Sequence, residues 1–273
     1  MAKRVHVTPE LILNPIYLDK AISESTGNIF LGSEDSMYDA DKIDILHRGK
    51  VGPESVDLER MRGNRRVLSN IEKMLAQVDK IFFPGTLLRD YGGYTVPVMP
   101  IILNGRLVCE RIKQTGDPYV DDYQRLAKER GMDPPKVNGF FDTQYENLMG
   151  SIRFELAKRR RDSLRHIDIE GANVLPIIGN ELPLIPSMYT GPKLSAVLHS
   201  SCNYAQSCSD RHEMYEAFAN AMSKKHLVNN PFTIIYSEHS SGDNETPSAT
   251  GAFVYEGRKL RALDGAPQTP LHF

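Results

Sequence analysis

The stretch Leu198-His199-Ser200-Ser201-Cys202-Asn203-Tyr204-Ala205-Gln206-Ser207-Cys208-Ser209-Asp210-Arg211-His212-Glu213 holds two of the three cysteines and two of the eight histidines. The apolar residues from Leu194 to Leu198 lead into it as a strand. Asp210 is placed to cap a helix, with Glu213 three residues on. Met214, Phe218, Ala221 and Met222 then recur at helical spacing and form its buried stripe. A strand, a polar turn and a helix therefore follow one another here. No other segment concentrates as many side chains able to do chemistry.

Towards the C-terminus, Phe232 to Tyr236 reads as a strand, followed by the polar loop Glu238 to Thr246. Ala252 to Leu263 is a hairpin around Glu256-Gly257. Pro267 and Pro270 extend the tail that ends at Phe273. Towards the N-terminus, Asn173 to Pro186 suggests a hairpin turning at Gly179-Asn180. The longest predicted helix runs from about Asp142 to Arg165. It opens with the capping box Thr143/Glu146 and carries Tyr145, Met149, Ile152 and Leu156 on one face. It ends in Lys158-Arg159-Arg160-Arg161, cations that complement a helix C-terminus.

Further back, Asp117-Pro118 starts a short helix ending at Gly131. The Tyr119-Val120-Asp121-Asp122 inside it resembles the metal-binding tetrad of reverse transcriptases. The helical surroundings are wrong for that chemistry, so the match is read as chance. Tyr94 to Ile112 is a long hairpin about Asn104-Gly105. Pro97 and Pro100 in its first arm point to an edge or a projection from the body. Lys80 to Phe83 is a strand stopped by Pro84-Gly85. Gly52-Pro53 opens a helix, and Val67, Ile71, Met74, Leu75 and Val78 make a second amphipathic piece. Residues 1–50 show weak periodicity. They hold a short strand at Asn28 to Leu31 and an acidic patch from Glu34-Asp35 to Asp44.

These elements predict an α+β fold of mostly antiparallel hairpins with three to five helices, an extended N-terminal arm and a C-terminal tail. Residues 1–50 form the arm or wrap. Residues 51–273 form a single body with a hairpin at 94–112 expected to project from it.

The 33 basic and 35 acidic residues nearly balance, which argues against a whole-protein grip on nucleic acid. No apolar run reaches the roughly 18–20 residues a membrane span needs. Three cysteines cannot all pair within one chain, so a reducing compartment, the cytoplasm, is expected. No glycine-rich phosphate loop follows a strand, so no nucleotide cofactor is indicated.

Three function classes remain. The first is a self-assembling, homo-oligomeric structural protein such as a viral shell or tail component, which would place the chain in a virion. The order of arm, hairpin, long helix and mixed body is similar to that of tailed-phage shell proteins, at the level of architecture alone. The second is a soluble enzyme using the Cys/His stretch 199–212. His199, Cys202, Cys208 and His212 are a possible tetrahedral zinc set. Alternatively, Cys202 or Cys208 is a nucleophile served by His239 and Asp243. The third is a nucleic-acid binder using the basic helix 153–165, with phosphate contacts through Lys158, Arg159, Arg160 and Arg161. The structural class ranks first, and a non-enzymatic role with it.

Overall fold

A computed structural model describes residues 4–7, 29–34, 73, 81–91, 94–103, 106–113, 164–202, 208–226, 231–239, 249–263 and 268–270. Its strands in chain order begin with β1 (Arg4–Val7), β2 (Ile29–Leu31), β3 (Ile81–Phe83), β4 (Leu87–Tyr91), β5 (Tyr94–Leu103) and β6 (Arg106–Ile112). Then come β7 (Ile167–Ile169), β8 (Ala172–Ile178), a 3-10 turn (Gly179–Glu181), helix α1 (Ile185–Met188) and β9 (Ala196–Cys202). Helix α2 (Cys208–His226), β10 (Phe232–His239), β11 (Ala249–Glu256), β12 (Lys259–Ala262) and β13 (Gln268–Pro270) complete the described elements.

Two sheets result. The first runs β13-β1-β2-β3-β5-β4, with β6 also paired to β5. The second runs β12-β11-β10-β9-β8-β7. In each, the middle strands are parallel: β1 with β2 and β2 with β3, then β8 with β9 and β9 with β10. Parallel strands lie buried on both faces, so they read as unbroken apolar runs. Val174-Leu175-Pro176-Ile177-Ile178 and Ala196-Val197-Leu198 are such runs.

Alternation along these strands divides the core in two. Ile29, Leu31, Phe83, Met99 and Ile101 of the first sheet pack against Val174, Ile178, Ala196, Leu198, Ile235 and Ala252 of the second. This is the layer between the sheets. The intervening residues Leu175, Ile177, Val197, Ile234 and Phe253 face outward to Tyr215, Phe218, Ala219 and Met222 of α2. Two tight turns trim the second sheet. Glu170-Gly171 and Gly257-Arg258 have positive φ at both positions, as two-residue hairpins of the primed type require.

The expectation of an α+β body of antiparallel hairpins with three to five helices is therefore corrected. The described residues are mostly sheet, with the four-residue α1 and the nineteen-residue α2 as their helices. The Asn173 to Pro186 hairpin is absent, because β8 runs straight into the 3-10 turn and pairs in parallel with β9. Within the predicted N-terminal arm, β1 and β2 are members of the first sheet. The 94–112 hairpin forms, with Ile101 and Ile102 buried and Leu103, Arg106, Val108 and Cys109 exposed. The predicted helices in 52–78, 117–131 and 142–163 lie outside the described residues, apart from the single helical residue Lys73.

Leu198 is fully buried in the layer between the sheets. Leu198→Ala is expected to lower the unfolding free energy by about 2–5 kcal/mol, through lost burial and the cavity left behind. Urea denaturation followed by circular dichroism measures it.

Candidate functional site

Four strand ends converge on one buried polar cluster. Glu34 follows β2 by three residues, Thr86 follows β3, Lys113 follows β6 and Gly179 follows β8. Ligand sites of open sheets with parallel strands favour the carboxyl ends of those strands, where backbone and side chains diverge from the ladder.

The Lys113 Nζ donates to Glu34 Oε1 at 2.6 Å, with the two side chains only 1 % and 7 % exposed. The loop bearing Glu34 is fixed along its backbone. Gly32 N–H donates to Phe83 O at 2.8 Å, and Ser200 Oγ donates to Gly32 O at 2.8 Å. Glu34 N–H donates to Ser201 O, while both the N–H and the Oγ1 of Thr86 donate to Glu34 O. The backbone bearing Glu34 is thereby held by Phe83 and Thr86, at and after the end of β3, and by β9 of the other sheet.

The turn at Gly179 is equally constrained. Ile178 N–H donates to Glu181 Oε2 at 3.0 Å. Arg111 Nη2 donates to the same oxygen at 2.7 Å, its Nε donates to Pro176 O, and its Nη1 donates to Ile112 O. Arg111 thus clamps β6 to the end of β8. His199 holds the other side. Its Nε2 is 2.8 Å from Gly179 O and its Nδ1 is 2.6 Å from Tyr215 Oη. A carbonyl only accepts, so Nε2 carries the proton and Nδ1 accepts from the tyrosine. Burial drives the imidazole pKa down to about 4, partly offset by the Gly179 hydrogen bond and Glu238. The ring is neutral at pH 7.

The stretch singled out in the sequence is thus partly at this site. His199 lies within it as a ring whose two nitrogens are both engaged, so a metal would have to displace Gly179 or Tyr215. His212 stacks on Phe253, ring centroids 5.6 Å apart. Cys202 ends β9 and Cys208 begins α2, while their side chains, like that of His239, lie outside the described residues, as does Asp243 altogether. Among the described residues no three His, Cys, Asp or Glu side chains gather as a metal site. Arg211 pairs with Glu238 at 2.7 Å and lies over the Tyr236 ring. Helix α2 begins at Cys208, two residues before Asp210, so Asp210 lies in its first turn. Lys158 to Arg161 fall outside the described residues.

Glu34 and Lys113 are not among the residues that the sequence singles out, Glu34 because it heads an acidic run. Glu34 stands three residues after the apolar strand Ile29-Phe30-Leu31, whereas Lys113 directly follows a strand that itself carries Arg106, Glu110 and Arg111, so no shared local signal marks the two.

No family model matches the chain, and no curated protein matches its sequence. Solved structures do match its shape. A carbon-nitrogen hydrolase from Helicobacter pylori G27 aligns with a TM-score of 0.52 at 8% identity, covering 93% of this chain and 82% of that one. A variant of the Nesterenkonia AN1 amidase from the nitrilase superfamily gives 0.55 at 14%, covering 99% and 90%. The glutamine-dependent NAD+ synthetase of Acinetobacter baumannii gives 0.55 at 12%, covering 99% of this chain but 44% of its own. Other structures of the Nesterenkonia amidase record addition of acrylamide, and of the acetamide moiety of fluoroacetamide, at its active-site cysteine.

The chain has the carbon–nitrogen hydrolase fold. That finding overturns the expectation of a viral shell or tail component, and with it the virion and capsid assignment. It lends no support to nucleic-acid contacts. The fold is compatible with a homo-oligomer. Among the described residues no helix is long and apolar enough to cross a membrane.

Two outcomes test this geometry. Between pH 6.5 and 4 the unfolded chain binds a proton at His199 that the native chain refuses, so stability should fall as pH drops through that window and be fully present above it. His199→Gln should flatten this part of the curve in denaturant titrations run at several pH values. Arg111→Met leaves Glu181 buried without its cation, at an expected cost of about 3–5 kcal/mol in the same assay.

Proposed function

We propose that the chain is an enzyme that hydrolyses a carbon–nitrogen bond of a small amide, with Glu34 and Lys113 as its reacting groups. The observation that carries this reading is the buried Lys113–Glu34 contact at the strand ends, in a fold shared with an amidase and a carbon-nitrogen hydrolase. A carboxylate held by a fixed backbone suits a general base. An adjacent ammonium suits the oxyanion that forms when an amide carbonyl is attacked. His199, Arg111 and Glu181 position the Gly179 turn and do not touch the substrate.

A homo-oligomer in the cytoplasm is the setting we propose, in keeping with the exposed free thiol of Cys109. No cofactor enters the reaction as drawn.

The test is ammonia release from a panel of short aliphatic and aryl amides at neutral pH. Glu34→Gln should lower kcat/KM by about 100-fold or more with a melting temperature close to that of the parent. Lys113→Arg, which keeps the charge, should fold and retain part of the rate, whereas Lys113→Met should lose it. Turnover of no amide, or turnover indifferent to Glu34→Gln, would defeat the proposal.

A further inference from the structure

Gly179 is the buried residue where β8 enters the 3-10 turn, and its φ is +49°. The end of a strand running into a sharp turn with unusual backbone angles is where hydrolase folds often present a nucleophile. Here the position has no side chain. A Cβ built on Gly179 would overlap Glu34 Oε2 and stand 2.9 Å from its Cδ and 3.0 Å from its Oε1. The Glu34 carboxylate itself fills the place a side chain would take. Oε1 is turned to Lys113, and Oε2 is the atom set most closely against the bare glycine.

The three cysteines stand elsewhere in the chain. Cys109 is exposed on β6, Cys202 is the last residue of β9 and Cys208 is the first of α2. None occupies the β8 position that faces the carboxylate.

We infer that this centre works without a thiol nucleophile, by direct attack of water under Glu34. The inference rests on the hydrolytic reading above. The Glu34 carboxylate takes a proton from water as the water oxygen bonds to the amide carbon. The carbonyl π pair moves to oxygen, beside the Lys113 ammonium. When that pair returns, the C–N bond breaks and the departing nitrogen takes the proton from Glu34. The products are a carboxylic acid and ammonia or an amine, which exchange a proton in solution. No covalent enzyme intermediate forms.

Acrylamide and fluoroacetamide are the probes, read by intact mass and peptide mapping. The parent protein should give no adduct whose rate depends on Glu34, as compared with Glu34→Gln. Gly179→Cys should gain one adduct at position 179, slowed at least tenfold when Glu34→Gln is added. If that variant does not fold, the triple variant Cys109→Ser/Cys202→Ser/Cys208→Ser decides, and its ammonia release should stay within about threefold of the parent. A Glu34-dependent adduct at Cys202 or Cys208 overturns the inference. So does a folded cysteine-free variant that has lost its activity. No turnover by the parent, with no Glu34-dependent label, removes the hydrolytic reading and the water step together. Turnover with a labelled native thiol removes the inference alone.

Discussion

The contact between Lys113 and Glu34 constrains more of this structure than any other. A carboxylate and an ammonium taken out of water lose hydration worth several kcal/mol each, and their attraction repays it only when the geometry is held. The holding is done by backbone. Glu34 is bonded through its own N–H to Ser201 in β9 and through its carbonyl to Thr86 after β3, and Gly32, two residues before it, is bonded to Phe83 and Ser200. These bonds can form only if the two sheets stack with the carboxyl ends of β2, β3 and β9 at the same rim. The apolar layer of Ile29, Leu31, Leu198 and Ile235 sets the stacking, and the polar rim sets its register.

Strand positions were largely legible in the sequence, because strands bounded by Gly, Pro and polar residues announce themselves locally. The run at Ile29 to Leu31, the strand stopped by Pro84, the 94–112 hairpin, the strand at Phe232 and the hairpin at Glu256-Gly257 all come from such signals. Pairing was not legible. Gly179-Asn180 after Val174 to Ile178 looks like a hairpin turn, since an apolar run followed by Gly-Asn and another apolar run fits one. A strand buried on both faces gives the same letters. What separates the two is the partner of β8, and β9 reaches it only after the 3-10 turn and α1. Antiparallel neighbours can be read from short turns, whereas parallel ones are joined through connections whose length hides the partner.

The site was less legible than the fold for a related reason. Glu34 and Lys113 are 79 residues apart, and Arg111 and Glu181 are 70 apart. Each alone is an ordinary charge, and Glu34 stands at the head of an acidic run. The Cys/His stretch drew attention through composition, and one of its members, His199, does lie beside the turn at Gly179. Its chemistry differs from what composition suggested. With both nitrogens occupied and its pKa lowered by burial, it is a neutral ring that orients a carbonyl. Residue type identified the neighbourhood, and only the hydrogen-bond partners identified the role.

Three ion pairs are buried among the described residues: Arg111–Glu181, Lys113–Glu34 and Arg211–Glu238. Apolar residues of similar size would often stabilise the fold as well or better, so burial of charge on this scale points to a task other than stability. The pairs are not equivalent in that respect. Glu181 is turned inward to Ile178 N–H and Arg111, so it closes the turn on which it sits. Arg211 lies on Tyr236 and joins α2 to the end of β10. Glu34 alone presents an oxygen against a residue with no side chain. Its backbone is fixed from both sheets, its Oε1 meets Lys113, and its carboxylate lies where a side chain at Gly179 would stand. Of the three pairs, this is the one on which the proposed hydrolytic reading rests.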